Sequence, residues 1–197
     1  MNKHYDPHFQ KDIITIHPGE YYTSKEDIYI ATVLGSCISV ALYDIKLGFG
    51  GMNHFMLPKS SRDEPLSSED EGRFGNYAME LLINDMINNG SSKQSLRAKV
   101  FGGGNVLDAG NSQMNMTGIN NINFALNYLK AENIPIIVND TGGIFPRKIY
   151  FNPLTSKVYL KRIQKSGQSV EQIKQRELEY KLQLQAKKEE AGNIVWF

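Results

Sequence analysis

The chain has 197 residues, a formal net charge of +1 and a hydrophobic fraction of 41%. This length predicts one domain with a sizeable core, and the near-neutral charge gives no reason to expect nucleic acid or an anionic membrane as partner. The single cysteine excludes an internal disulfide and favours a reducing compartment. The first residues lack a signal-peptide core, and no apolar run reaches the roughly 20 residues of a transmembrane helix, so we expect a cytoplasmic protein without membrane insertion.

The N-terminal part of the chain predicts a loose arm followed by strands. Residues 1–10 are polar, and we expect them to be loose. His4 and His8 have a spacing that could suit a metal, but no further ligands cluster nearby, so we predict no metal site. Alternating apolar residues predict a strand at 12–17, and a second strand at 28–34 leads towards the cysteine.

The centre of the chain predicts an antiparallel hairpin. Residues 37–43 and 50–57 are both apolar enough to be strands, and a short turn separates them. If Tyr43 pairs with Gly48 across that turn, the only cysteine lies directly opposite the histidine of the second strand. Directly opposed residues point to the same face, with Cβ atoms about 4.5–5.5 Å apart.

Cys37 and His54 are therefore the candidate catalytic pair. A cysteine nucleophile needs a nearby base, and an imidazolium partner lowers the thiol pKa, so we expect a thiolate here. An inert buried cysteine is the commoner alternative. Gly35 and Ser36, however, predict a tight turn whose backbone N–H groups could hold an oxyanion. His17 is a rival base that we expect at the surface.

The middle of the chain predicts a loop, a helix and a glycine-rich strand end. Residues 58–72 read as a surface loop that could be a lid, a docking surface or disordered. Apolar spacing predicts a helix at 77–87 and a buried strand at 96–101. The glycines at 102–104 favour a tight strand end near the active site over a phosphate loop, because the P-loop lysine and the dinucleotide spacing are missing.

Further along, the pattern predicts a second helix capped by Thr117 or Asn120, and then a strand at 134–138. A final hairpin is predicted at 148–151 and 157–160. In total we expect about seven or eight strands with two main helices, which is an α/β (α+β) fold built as a mixed layered sandwich.

The composition changes at the end of the chain, where Gln, Lys and Glu dominate. We divide the chain into an arm (1–10), a domain (11–163) and a charged helical tail (164–197) lying outside the domain. The tail ends in Trp196 and Phe197. Two interpretations remain open: a tail that packs back on the domain, or a peptide that docks in a partner's groove.

The motifs together resemble the CheD family of chemoreceptor glutamine deamidases. The resemblance covers about residues 12–163, and the paired cysteine and histidine motifs carry most of its specificity. The matching segments run Thr32-Val-Leu-Gly-Ser-Cys37, Gly51-Met-Asn-His-Phe-Met-Leu-Pro58, Lys99-Val-Phe-Gly-Gly-Gly104, Gly118-Ile-Asn-Asn121, Asn139-Asp-Thr-Gly-Gly143 and Arg147-Lys-Ile-Tyr-Phe151.

The resemblance implies roles for three residues. The family's catalytic cysteine and histidine correspond to Cys37 and His54, and its third catalytic residue is a threonine shortly before the cysteine, for which Thr32 is the candidate. The sequence departs from the family pattern in two places. Asn120 stands where the family usually has arginine, and Phe145-Pro146 replaces small residues.

The resemblance also implies an activity and partners. The family hydrolyses selected glutamine side chains of methyl-accepting chemotaxis receptors to glutamate and releases ammonia, without metal or cofactor. It further implies a regulatory partner, the CheC-type phosphatase of the response regulator CheY. The alternative is a non-catalytic docking module that binds receptors or this phosphatase.

Overall fold

The computed structural model describes residues 1–57, 68–105, 115–164 and 167–192. This part of the chain contains ten strands and three α-helices. The strands are β1 (Asn2–Asp6), β2 (Lys11–Thr15), β3 (Tyr21–Ser24), β4 (Tyr29–Leu34), β5 (Ile38–Asp44), β6 (Phe49–Asn53), β7 (Leu96–Gly102), β8 (Ile136–Thr141), β9 (Arg147–Phe151) and β10 (Val158–Arg162). The helices are α1 (Ser68–Asn88), α2 (Asn115–Ala131) and α3 (Gly167–Gly192).

The strands form two sheets of five. The first sheet has the order β1-β2-β4-β9-β10, and the second has the order β3-β6-β5-β7-β8. Each sheet contains one parallel pair, β2 with β4 and β7 with β8, among otherwise antiparallel neighbours. The α/β layered sandwich expected from the sequence is confirmed, although with more strands than the predicted seven or eight.

Two large apolar layers and a smaller cluster around Ile13 and Tyr29 stabilise the described part of the fold. Helices α1 and α2 pack on the outer face of the second sheet, where residues such as Leu42, Val100 and Leu82 are fully buried. The second layer lies between the two sheets and contains Ile30 and Phe151. Cys37 belongs to this second layer and is fully buried. The site therefore lies inside the sandwich, between its two sheets.

The central hairpin forms in a register different from the predicted one. Tyr43 pairs with Gly50, and Asp44 pairs with Phe49, so the predicted pairing of Tyr43 with Gly48 is wrong by two residues. The reason is local: the Asp44 carboxylate accepts hydrogen bonds from the backbone N–H groups of the two central turn residues, Lys46 (2.7 Å) and Leu47 (3.0 Å). Gly48 closes the longer turn at a φ of +58°, which glycine adopts without steric cost.

Several predicted boundaries need correction. The arm expected to be loose contains strand β1, which pairs antiparallel with β2. The predicted second hairpin strand ends at Asn53, and beyond it only Phe55 bridges to Ile38. Strand β3 was not predicted, because its four half-buried residues show no apolar alternation.

The helices also start earlier than predicted. α1 begins at Ser68, inside the segment read as a surface loop, and residues 58–67 of that segment lie outside the described part. α2 begins at Asn115, so Thr117 and Asn120 lie within the helix and neither is its cap.

The tail forms α3, as its composition predicted, but α3 does not stand apart from the domain. Ile173 and Leu184 are only 8% and 4% exposed, whereas Leu178 and Leu182 are more than half exposed. One face of the helix therefore packs on the domain. Trp196 and Phe197 lie outside the described residues.

Candidate active site between the sheets

His54 is tethered by Thr32. The Thr32 hydroxyl donates to the backbone carbonyl of Ile16 at 2.8 Å, and the same oxygen lies 2.7 Å from Nδ1 of His54. A hydroxyl has only one proton, so the hydroxyl oxygen accepts from Nδ1–H of the ring. The neutral imidazole then carries no proton on Nε2. That atom is buried without a hydrogen-bond partner in the described part of the chain.

Cys37 shares a sheet face with His54, although the two are not directly opposed. Ile38 pairs with Phe55, so one further step in the same register places Cys37 opposite Met56. His54 lies two residues before Met56 and therefore points to the same face. Such diagonal neighbours lie about 7–8 Å apart, which is within the reach of a ring. Side chains alternate between the two faces of a strand, so a register shift of two residues leaves Cys37 and His54 on the same face, whereas a shift of one would have separated them.

Two asparagines hold the backbone around this pair. Asn121 of α2 is fully buried; its side chain donates to the carbonyl of Ser36 and accepts from the N–H of Leu57, both at 2.8 Å. Asn53 accepts from the N–H of Val40 at 2.9 Å and donates to a carbonyl of α1. These contacts join the turn before Cys37, the segment around His54 and the helical layer.

The glycine run supports the turn before Cys37. The N–H of Gly103 donates to the carbonyl of Cys37, and the N–H of Gly104 donates to that of Gly35, both at 2.7 Å. Gly103 has a φ of +63°. Helix α2 approaches it closely, because a Cβ on Gly118 would lie 2.7 Å from the carbonyl oxygen of Gly103. The predicted tight strand end near the site is confirmed, and these two N–H groups are already engaged by protein.

The turn itself presents its donors to a carboxylate from α3. Oε1 of Glu177 accepts from the backbone N–H groups of Gly35 (3.1 Å) and Cys37 (3.2 Å). Oε2 of Glu177 accepts from the Ser36 hydroxyl at 2.7 Å. Two backbone donors on either side of Ser36 converge on one oxygen, and such an anion-binding concavity is of the kind that stabilises an oxyanion.

Electrostatics keep the pair neutral in this arrangement. Burial raises the pKa of the Cys37 thiol well above its ordinary value, and the Glu177 carboxylate adds to the effect. Burial also lowers the pKa of His54 to about 3, with a contribution from His17. The expected thiolate is thus wrong for this state of the protein: a charge at the thiol would be unsolvated and would face an anion.

A small cavity of about 40 Å³ lies beside His54, and His17, Thr32 and Glu177 are among the residues that border it. It has room for about one water, whose share of liquid volume is about 30 Å³. Across the described ranges, no group of three or more His, Cys, Asp or Glu side chains could hold a metal ion. Within the same ranges no helix is long and apolar enough to cross a membrane.

The fold and these contacts define a class: a two-sheet α/β protein with a buried cysteine and a threonine-tethered histidine between its sheets. A family model described as CheD chemotactic sensory transduction matches residues 56–162.

Curated relatives match over a longer stretch. A protein of Shewanella oneidensis named probable chemoreceptor glutamine deamidase CheD 1 is 45% identical over 93% of this chain and 87% of its own length. Proteins named probable chemoreceptor glutamine deamidase CheD from Janthinobacterium sp. and Methylobacillus flagellatus are 44% and 42% identical to this chain. The matched regions span 89% and 95% of the lengths of these two relatives. The chain belongs to the CheD family.

The two departures from the family pattern lie beside intact structural contacts. Asn120 is half-buried, and its neighbour Asn121 makes the contacts that join the site to α2. Phe145 is exposed, whereas Arg147 after it is buried and donates to the Asp140 carboxylate at 2.6 Å and to the carbonyl of Gly142.

Sequence reasoning missed Asn121 and Glu177. Asn121 belongs to the motif Gly118-Ile-Asn-Asn121, but the motif alone does not indicate a role for its side chain. Glu177 is the polar member of a stripe with Ile173, Tyr180 and Leu184, at the four-three-four spacing of one helix face. A carboxylate in the middle of an apolar stripe was the available signal.

Proposed function

We propose that the protein hydrolyses glutamine side chains of chemoreceptors to glutamate, with Cys37 as nucleophile and His54 as its base. One observation supports the catalytic assignment: Thr32 fixes the tautomer of His54, so that Nε2 is a buried base on the sheet face shared with Cys37 and has no hydrogen-bond partner among the described residues. The substrate assignment rests on family membership and on the names of the relatives.

The first step is attack of Cys37 Sγ on the amide carbon. Because burial favours the neutral thiol and the neutral imidazole, the proton passes to Nε2 as the bond forms. The carbonyl oxygen becomes an oxyanion. The N–H groups of Gly35 and Cys37 already converge on one oxygen, and they hold that charge.

The second step expels ammonia. Collapse of the intermediate breaks the carbon–nitrogen bond, and His54 returns its proton to the leaving group. A water then adds to the thioester, loses its proton to His54, and the carbon–sulfur bond breaks to give glutamate and the free thiol. The cavity beside His54 is a suitable place for this water.

We also propose where the protein acts and which proteins it binds. The protein meets the cytoplasmic part of methyl-accepting receptors, and a CheC-type CheY phosphatase binds it as a regulator. Family membership supports both statements. Co-purification of the phosphatase with the full chain, and its loss with a folded variant of the site, would test the second.

Mass spectrometry of a receptor fragment tests the activity. Prolonged incubation with the full chain should convert specific glutamines to glutamate, and Cys37→Ala should convert none while retaining its circular dichroism spectrum and melting temperature. Equal conversion by both proteins would refute the nucleophile. Binding of the receptor without any conversion would favour the docking module.

A further inference from the structure

Helix α3 covers the candidate site with one face. Ile173, Glu177, Tyr180 and Leu184 share that face; Ile173 and Leu184 are almost fully buried, and Tyr180 packs against the apolar layer between the sheets. Burial raises the pKa of Tyr180 to about 12, with a contribution from Cys37. Leu178 and Leu182 on the other side are exposed. The helix is thus oriented by packing, with Glu177 at its centre.

Glu177 makes the contacts that a reacting side chain needs. Its Oε1 accepts hydrogen bonds from the N–H groups of Gly35 and Cys37, and its Oε2 accepts one from the Ser36 hydroxyl. The group in this position is a γ-carboxylate on a two-carbon stem. That is also the group that deamidation of a glutamine side chain produces.

Two glycines on the domain surface allow α3 to approach closely, because they have no Cβ atoms. A Cβ on Gly35 would lie 2.7 Å from Oε1 of Glu177, and a Cβ on Gly19 would lie 2.9 Å from the Tyr180 hydroxyl. Gly19 also has a φ of +85°. A pocket of about 330 Å³ lies between Tyr180 and Leu184 of α3 and residues of α1, and Gly19 borders it as well. We call the domain surface under α3, from Gly35 to Gly19 and this pocket, the groove.

We propose that α3 is an intramolecular product mimic: it occupies the substrate groove, with Glu177 in the place of the side chain that has reacted. The inference rests on the proposed function and adds its regulation. α3 must leave before a substrate can bind. The substrate glutamine must then reach the donors that now contact Glu177, from a helix or a similarly rod-shaped segment that lies in this groove.

The sharpest test makes the mimic into a substrate. In Glu177→Gln the side chain keeps its shape, its carbonyl oxygen can take the place of Oε1, and its amide nitrogen can donate to the Ser36 hydroxyl. Cys37 Sγ then attacks the amide carbon, the carbon–nitrogen bond breaks to release ammonia, and water cleaves the thioester. We expect peptide mass spectrometry to show glutamate at 177 after purification and incubation.

The chain supplies the controls for this test. Glu179→Gln places a glutamine at an exposed position of the same helix, and Gln172, Gln175 and Gln183 are exposed there already; all should stay unchanged. The double variant Cys37→Ser with Glu177→Gln should also keep its glutamine. Conversion in one molecule is first order, so the rate should not depend on protein concentration.

A second test releases the helix. Ile173→Asp places a charge under α3, whereas Leu178→Asp places the same charge on its exposed face. If α3 closes about 90% of molecules, release should raise kcat/KM on a receptor fragment about tenfold. Iodoacetamide should also alkylate Cys37 faster in Ile173→Asp than in Leu178→Asp. Ile173→Ala gives a milder release if the aspartate variant does not fold.

The outcomes separate the two proposals. Cys37-dependent conversion of the receptor fragment at equal rates in wild type, Ile173→Asp and Leu178→Asp, with a persistent glutamine in Glu177→Gln, would overturn the mimic and leave the activity standing. A receptor fragment that no variant converts would overturn the activity and the mimic with it. Conversion at 177 together with faster turnover by Ile173→Asp would support both.

Discussion

The Thr32 hydroxyl is the residue-scale feature on which the base depends. Because its own proton is committed to Ile16, it can only accept from His54, and this sets which ring nitrogen is free. Neither contact follows from the spacing of the two residues along the chain. Thr32 is a positioning residue in this scheme, since it acts through the ring and not on the substrate.

Thr32→Val keeps the shape of the side chain and removes the acceptor. General base catalysis contributes typically about 10²–10⁴-fold, so partial loss of ring orientation should lower kcat at least about tenfold with KM little changed. Thr32→Ser keeps the hydroxyl and should retain most activity. A serine variant as slow as the valine variant would show that the methyl packing matters and not the hydrogen bond.

His54 also makes a prediction about pH. Its pKa is about 3 in the folded chain, whereas an unfolded histidine has a pKa of about 6.5. Between these values the unfolded chain binds a proton that the folded chain does not. The free energy of unfolding therefore falls as the pH drops from about 6.5 towards 3, by up to about 1.4 kcal/mol per pH unit, and this contribution is intact above pH 6.5.

Denaturant titrations at several pH values can isolate this contribution. His54→Gln carries no titrating ring, so the difference in stability between wild type and variant should grow smaller, or reverse, as the pH falls. Carboxylates such as Asp44 destabilise both proteins equally at low pH and cancel in the comparison. Parallel pH curves for the two proteins would contradict the low pKa.

At the scale of elements, α2 holds the two halves of the site together through Asn121. This side chain connects the turn before Cys37 to the segment after His54, and both ends of it are buried. The amide therefore couples the helix to the relative position of nucleophile and base. The neighbouring Asn120, which replaces the usual family arginine, lies half-buried on the same helix.

Asn121→Ala leaves a buried carbonyl and a buried N–H without their partners. Leaving such a group unsatisfied costs about 1–3 kcal/mol, so the variant should lose stability of that order and most of its activity. Asn120→Ala is the matched control on the same helix and should change the free energy of unfolding by less than about 0.5 kcal/mol, because it breaks none of the contacts described at the site. Similar losses in the two variants would show that the tie through Asn121 is not special.

At the scale of the whole molecule, the docking of α3 decides whether the site is open. The helix shows a highly charged sequence, and composition alone placed it outside the domain. Its packed face buries Ile173 and Leu184 and partly buries Tyr180, on either side of one carboxylate. The free energy of this contact therefore contributes both to stability and to closure of the site.

Leu184→Lys and Leu182→Lys compare the two faces of α3. Leu184 is 4% exposed and Leu182 is 57% exposed. Removing a buried leucine from a core costs about 2–5 kcal/mol, so the first variant should release the helix or lower the stability, whereas the second should change little. Helix release can be measured as faster amide hydrogen exchange across α3. Equal exchange in the two variants would contradict the docked arrangement.

The sequence alone determined the layered α/β class, the common sheet face of Cys37 and His54, and the family. These depend on local apolar alternation and on motifs, which are readable without contacts. The register of the hairpin could not be read, because it depends on how Asp44 caps the turn. The strand β1 was hidden by its polarity, since an edge strand with exposed side chains has no apolar pattern.

Only the tertiary structure decided the state of the site. The tautomer of His54 depends on the carbonyl of Ile16, and the neutrality of Cys37 depends on burial and on a carboxylate from residue 177. These partners lie 16 or more positions away along the chain, so no local pattern brings them together. Desolvation and hydrogen bonding act through space, and here they convert an expected thiolate into a covered, neutral thiol.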